Sequence, residues 1–135
     1  MAIWRHPDVL DYGLDRIKTA CNSIALIDYD YVAGDSYTTV RGTADVNIIA
    51  EQTGVTSANI TLSAYGTNGR KAVTAQFTPT SVKTSSGVAG RLKFALLDTV
   101  NSKVLAIVDE GTDQIVTISN VVTIPALTLA SIQPA

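Results

Sequence analysis

The chain is poor in the residues from which catalytic and metal sites are usually built. It contains one His, one Cys and one Trp, and aromatic residues make up only 6% of its 135 residues. A single Cys cannot form an internal disulfide, and one His with one Cys falls short of the roughly three or four protein ligands of a zinc site. We therefore expect no disulfide scaffold, no zinc site and no cofactor, and we predict that the protein is not an enzyme.

No stretch of the sequence is strongly basic, and none is long and apolar. Lys and Arg number 10 against 12 Asp and Glu, and the pI is near 5.1. Binding of nucleic acid requires concentrated positive charge, so we expect no nucleic-acid partner. The longest apolar-leaning stretch, residues 121–132, contains Thr, Pro and Ser and is shorter than the roughly 20 residues that span a bilayer. We expect no membrane partner, and the charged start of the sequence predicts no export signal.

Small aliphatic and hydroxyl-bearing residues are abundant instead. Hydrophobic residues make up 46% of the chain, mostly Ala, Val, Ile and Leu, and Thr and Ser accompany them. This mixture favours strands, and the length suits one domain with a single core. We predict that residues 1–135 form a single mainly β domain, an antiparallel β-sandwich or barrel with one N-terminal amphipathic α-helix.

The helix is predicted at residues 8–20. Apolar residues including Leu14, Ile17 and Cys21 recur there at the spacing of one helical face, and charged residues fill the other face. Asp8 is suited to cap the first backbone amides. Cys21, on the apolar side, is expected to act as a small buried hydrophobic residue.

Short strands account for most of the remaining sequence. In residues 57–64, Ala58, Ile60, Leu62 and Ala64 are expected to face inward, because alternation of apolar and polar residues is typical of half-exposed antiparallel strands. The predicted strands are residues 23–31, 57–64, 73–77, 91–97, 103–108, 114–118 and 120–132.

Polar and glycine-containing segments separate these strands. Residues 32–45 predict a polar loop or arm, and the Ser/Thr/Gly-rich residues 78–90 separate two hairpins. Asn68-Gly69 predicts a tight hairpin turn with positive φ angles. The strand at 103–108 has apolar residues on both faces, so we expect both faces to be covered by other layers or subunits.

Two groups of acidic residues are candidates for binding calcium. Asp28 and Asp30 are expected on one face of a strand, while Asp109, Glu110 and Asp113 share one turn. Carboxylate oxygens are the ligands that calcium prefers, but no complete calcium-loop spacing is present. Solvated acidic turns are the alternative interpretation of both groups.

A series of short turn and strand signatures, taken in order along most of the chain, resembles the small head decoration or stabilisation proteins of tailed bacteriophages. At Lys93 this sequence departs from the family pattern, in which a histidine is more usual, so a shared side-chain role at that position is in doubt. The segments that carry the resemblance are Asp15–Lys18, Ser36–Thr38, Asn68–Lys71, Ser86–Ala89, Ala95–Asp98, Val104-Leu105 and Val122–Ala126.

The resemblance implies a structural virion protein on the phage head surface, made in the bacterial cytoplasm. Its expected partners are the major capsid protein and copies of itself, a homotrimer by analogy with the local threefold points of capsids. Trp4 is the expected aromatic anchor of the interface, with packing against the N-terminal helix of its own chain as the alternative. Arg5, Arg70 and Lys71 are expected rim contacts to an acidic capsid surface. Tyr37, in the polar loop, is a further expected interface residue.

Two other functions fit the same sequence features. A tail-tube, head–tail connector or fibre-associated protein would also be β-rich, and copy number in the particle would distinguish it. A carbohydrate-binding or adhesin-like β-sandwich would need exposed aromatic residues on one loop face, a requirement that Tyr29, Tyr31 and Tyr37 fit.

Overall fold

The computed structural model describes residues 7–112 and 114–132, and for residues 7–12 and 132 it describes the backbone alone. Within these ranges the α-helices are Pro7–Ala20 (α1) and Tyr37–Arg41 (α2). The strands are Ser23–Asp28 (β1), Ile48–Thr53 (β2), Ile60–Tyr65 (β3), Gly69–Thr74 (β4), Leu92–Asp98 (β5), Lys103–Asp109 (β6) and Thr128–Ile132 (β7).

The strands form two antiparallel sheets. One sheet has four strands in the order β2-β1-β5-β6, and the other has three in the order β3-β4-β7. Helix α1 packs mainly on β4 and β3 of the smaller sheet. The prediction of a mainly β, antiparallel fold with few helices is confirmed, and the arrangement of the sheets is sandwich-like.

The main core lies between one face of the four-stranded sheet, α1 and the smaller sheet. Leu92, Phe94 and Leu96 of β5 all face it, as their alternation predicts. Cys21 at the end of α1 is 2% exposed, and burial raises the pKa of its thiol. The cysteine is a buried packing residue, as the sequence predicts.

The opposite face of the four-stranded sheet is buried as well. Ala25, Ile27, Ala95 and Leu97 of the two central strands are fully buried there. The segment predicted as a polar arm, residues 32–45, lies over this second face. It contains α2 and a 3₁₀ turn at Thr43–Asp45, and it contributes the fully buried Val40 of α2 to the second cluster.

Several local predictions were wrong. Ala58 and Ala64 are exposed, and the predicted strand over residues 57–64 begins as a 3₁₀ turn at Ser57–Asn59, where Asn59 Oδ1 accepts a hydrogen bond from the Thr56 amide at 2.9 Å. The hairpin of β3 and β4 turns through residues 66–68, and the positive φ angle falls on Gly66 rather than on the Asn-Gly pair.

The set of strands also differs from the set predicted from the sequence. β2 was not predicted, and the region 114–118 is irregular rather than a strand. The two predicted strands at 91–97 and 103–108 are present as β5 and β6. β6 is half-buried along residues 104–108: Ala106 and Val108 pack against the main core, and Val104 and Ile107 pack against the second cluster. Coverage of its faces by other subunits stays a prediction.

We expect the substitution Leu96→Ala to lower the free energy of unfolding by about 2–5 kcal/mol, because Leu96 is fully buried and its truncation leaves a cavity in the main core. Denaturant unfolding of the purified protein measures this change. Val100→Ala is the matched control, since Val100 is 80% exposed in the β5–β6 turn and its truncation should change stability by less than about 0.5 kcal/mol. Equal effects of the two substitutions would contradict this account of the core.

Candidate interaction surface

Residues 77–86 and 116–124 run antiparallel outside the two sheets and form what we call the ribbon. Val122 and Ile124 of the ribbon are buried in the main core. Its backbone pairing is irregular, with isolated bridges in place of a continuous ladder. The bridges are Phe77–Ile124 and Thr80–Val121.

Hydroxyl groups complete the pairing of the ribbon. Ser81 Oγ donates to the carbonyl oxygen of Thr117 at 2.6 Å and accepts from the Asn120 amide at 3.1 Å. Ser85 Oγ accepts from the Val116 amide at 2.9 Å. The Ser/Thr-rich composition of this segment therefore has a structural reason, because side-chain oxygens take the place of ladder carbonyls.

A buried carboxylate ties the end of the ribbon to the four-stranded sheet. Asp28 at the end of β1 accepts hydrogen bonds from the backbone amide and hydroxyl of Ser86, at 2.6 and 3.0 Å, and from Arg91 Nε at 3.1 Å. Burial acts to raise the pKa of Asp28, but the hydrogen bonds from Ser86 and Arg91 outweigh it and lower the pKa. The carboxylate is held ionised and fixes the loop against the sheet.

A second charged cluster fixes the segment that covers the other face of the sheet. Arg41 of α2 donates to both carboxylate oxygens of Glu51 on β2, at 2.8 and 2.9 Å, and to Asp45 at 2.8 Å. Buried Ser23 also donates to Glu51, and the Arg41 guanidinium lies 5.5 Å from the ring centre of Tyr37. The bonds from Arg41 lower the pKa of Glu51, so this pair is ionised and joins α2 to β2.

A groove separates the ribbon from the four-stranded sheet. It has a volume of about 330 Å³, and Leu26, Leu92 and Phe94 lie along its sheet side. Ile115 and Val121 line its other side, and each is 69% exposed. These exposed apolar side chains lie beside backbone that the hydrogen bonds of Ser81, Ser85 and Ser86 hold in place. They form the candidate interaction surface, which we call the ribbon groove.

Further apolar exposure lies on the same part of the molecule. Ile118 of the ribbon is 52% exposed, and Val88, in the loop that follows Ser86, is 54% exposed. Gly87 has a φ angle of +75°, and a Cβ there would lie 3.3 Å from Ile115. The glycine therefore allows the loop to pass close to the rim of the ribbon groove.

Among the described residues, the structure does not bring the predicted interface residues Tyr37, Arg70 and Lys71 together. Tyr37 is half-buried and packs against the second core cluster. Arg70 and Lys71 are consecutive on β4, so their side chains project from opposite faces of the smaller sheet. Trp4 and Arg5 lie outside the described residues. The ribbon groove was missed because its exposed Ile and Val residues have the same composition as the core.

The aromatic and acidic candidates for other functions are also located. Tyr29, Tyr31 and Tyr37 pack against the second core cluster, and Tyr29 Oη donates to Asp35 at 2.8 Å, so these rings do not form an exposed platform. Asp28 is occupied by Ser86 and Arg91, whereas Asp30 is exposed and Asp113 lies outside the described residues. Within residues 7–112 and 114–132, no group of three or more His, Cys, Asp or Glu side chains is placed to hold a metal ion.

No protein-family model, curated protein or solved structure matches this chain. In the part of the chain that the structure describes, no helix has the length and apolar character needed to cross a membrane.

We expect the stability of the protein to decrease in acid partly through Asp28. Because its folded-state pKa lies below the unfolded value of about 3.9, its contribution is present above that value and is lost as pH falls through the folded pKa. Asp28→Asn should lower the free energy of unfolding at neutral pH by about 1–3 kcal/mol and should reduce the further loss on acidification. Denaturant unfolding at several pH values measures both effects. Asp30→Asn, at the exposed neighbouring carboxylate, should keep the wild-type pH dependence, and an unchanged profile for Asp28→Asn would contradict the assignment.

We expect Ser81→Ala to destabilise the ribbon. The substitution removes a donor to Thr117 and an acceptor for Asn120 at a position that is 2% exposed, which should cost about 1–3 kcal/mol of unfolding free energy. Amide hydrogen exchange should become faster at Asn120. The amides that pair β1 with β5 should keep their wild-type protection when the two proteins are compared under conditions that give equal unfolding free energies. Thr78→Ala, at an exposed position of the same ribbon, is the control. Unchanged exchange at Asn120 would show that the hydroxyl does not hold the ribbon together.

Proposed function

We propose that the protein is a structural subunit of a tailed-phage particle that binds the outside of the expanded capsid and stabilises it as a decoration protein. The sequence resemblance supports this role, and the mainly β antiparallel fold is compatible with it. The major capsid protein is the proposed partner. The location on the virion head surface belongs to the same proposal.

The observation that carries the proposal is the rigid apolar exposure at the ribbon groove. Ile115 and Val121 stand out from the surface although the neighbouring backbone is fixed by the hydroxyls of Ser81 and Ser85 and by the Asp28–Ser86 bonds. Exposed apolar surface marks sites of protein association. A fixed backbone loses little conformational entropy on binding, so more of the burial energy is retained as affinity.

Stabilisation of the shell follows from selective binding. A subunit that binds the expanded capsid and not its precursor shifts the equilibrium toward the expanded state by mass action. Each copy would add buried apolar area worth about 25 cal/mol per Å². Repetition over the shell makes a modest contribution per copy large for the particle as a whole.

The strand geometry of β4 limits which of the predicted charged contacts can act together. Arg70 and Lys71 face opposite sides of the smaller sheet, so at most one of them can lie on any one flat contact surface. Trp4 and Arg5 remain predicted contacts of the N-terminal segment. We propose that the ribbon groove is the apolar centre of the interface with the capsid and that charged residues contact the capsid only at the rim of this interface.

The first test is the copy number of the protein in purified phage particles, measured by quantitative mass spectrometry against the major capsid protein. We expect comparable numbers of the two proteins. A number many-fold lower would move the protein to the tail tube, the connector or a fibre. Complete absence from particles would overturn the virion proposal and favour a free binding module.

The second test probes the ribbon groove directly. Ile115→Asp and Val121→Asp each place a charge on the proposed apolar contact, and we expect binding to expanded capsids stripped of the protein to weaken by about tenfold or more. Both positions are exposed, so folding should be preserved. Val100→Asp, at an exposed apolar residue in the β5–β6 turn, is the matched control and should bind as the wild type does. Equal binding by all three variants would remove the ribbon groove from the interface.

A further inference from the structure

Strand β6 forms one edge of the four-stranded sheet and carries an uninterrupted apolar run. Residues 104–108 are Val-Leu-Ala-Ile-Val, and each is half-buried. β6 pairs with β5 on one side, and among the described residues no second strand pairs with it. An unpaired apolar edge is a template for addition of another strand.

The opposite edge of the same sheet shows how this chain protects an edge. At β2, the Val82 amide donates to the carbonyl oxygen of Ile49 at 2.8 Å, and Lys83 Nζ donates to the carbonyl oxygen of Val46. The ribbon therefore covers part of the β2 edge. β6 receives no corresponding backbone bond from any described segment other than β5.

The hydrogen-bond pattern identifies which groups of β6 point outward. The Glu110 amide donates to the carbonyl oxygen of Leu92, which pairs residue 110 with β5. Because partners alternate along an antiparallel strand, Val108 and Ala106 also face β5, whereas the backbone groups of Ile107 point away from it. The register shift between Leu96 and Leu97 leaves Leu105 without a partner on β5, so β6 is regular from Ala106 to Asp109, a stretch that contains Ile107.

The charges at the two ends of β6 select the partner and its direction. Lys103 begins the strand, and Asp109 ends it, with Glu110 directly after. An antiparallel second copy brings the Lys103 end of each strand beside the acidic end of the other. A parallel second copy would instead place like charges together, which destabilises a strand pair. Asp109 also lies 3.5 Å from Lys93, but its side chain is 66% exposed and accessible from the edge.

We propose that two copies of this chain pair through antiparallel β6 strands about a twofold axis at Ile107, which joins their four-stranded sheets into one continuous sheet. On the axis each Ile107 exchanges backbone hydrogen bonds with the Ile107 of the second copy. Ala106 of each copy then lies opposite Val108 of the other on the main-core face. The pairing is independent of the proposed capsid role, and it differs from the homotrimer that the sequence resemblance implies.

The test uses the property that a residue on a twofold axis meets itself. Sedimentation equilibrium of the full chain, from low to high micromolar concentration, should give a dimer mass for the wild type. Ile107→Lys and Ile107→Glu should each weaken the dimer by about tenfold or more, because like charges then face each other across the axis. An equal mixture of the two variants should recover a heterodimer, since opposite charges then meet. Thr61→Lys, at an exposed position of β3, adds the same charge elsewhere and should leave the dimer unchanged.

A second variant keeps the test decisive if substitutions at Ile107 disturb folding, which circular dichroism would show. Lys103→Glu lies at an exposed position and should weaken the dimer by about tenfold while the fold is preserved. A monomer at every concentration, a trimer, or a dimer insensitive to both Ile107 and Lys103 would overturn the proposal. Absence of the protein from phage particles would affect only the capsid proposal, because this measurement uses the isolated protein.

Discussion

β1 and β5 lie side by side in the middle of the four-stranded sheet, and apolar side chains project from both faces of the pair. A sheet that is apolar on both faces must be covered on both, since leaving either exposed forfeits the burial energy of its aliphatic residues. On one face the cover is α1, the smaller sheet and the ribbon. On the other it is the segment that carries α2.

The two covers are irregular, and polar side chains hold them in place. Asp28 fixes the ribbon end through Ser86 and Arg91, and Glu51 fixes α2 through Arg41. Each carboxylate has a lowered pKa because its bonds favour the charged form. Within the described chain, every buried side-chain nitrogen and oxygen has a hydrogen-bond partner.

The same requirement accounts for the two surfaces from which we argue function. The ribbon covers the sheet with Val122 and Ile124 directed inward, and this leaves residues such as Val121 directed outward at the ribbon groove. The covers do not extend past β6, so its outer edge is left without a strand partner among the described residues. One surface fits association with a different protein, and the other fits association with a second copy. The two surfaces adjoin at Glu110, which lines the ribbon groove and directly follows β6.

Periodic patterns in the sequence predicted α1, the β5–β6 hairpin and the inward face of β5, because each depends on residues close together in the chain. They predicted that a β3–β4 hairpin exists, but not its turn or the bounds of β4, which is Gly69–Thr74 rather than residues 73–77. The cover formed by residues 32–45, the strand β2 and the ribbon depended on tertiary structure. The contacts of Arg41 with Glu51 and of Ser86 with Asp28 join residues that are distant in sequence and meet only in the folded chain. A serine that pairs with a distant amide leaves no pattern in the neighbouring sequence. The exposed side of the ribbon groove likewise has the composition of a core strand. Which apolar residues are buried was therefore decided by the packing of distant segments and not by their own pattern.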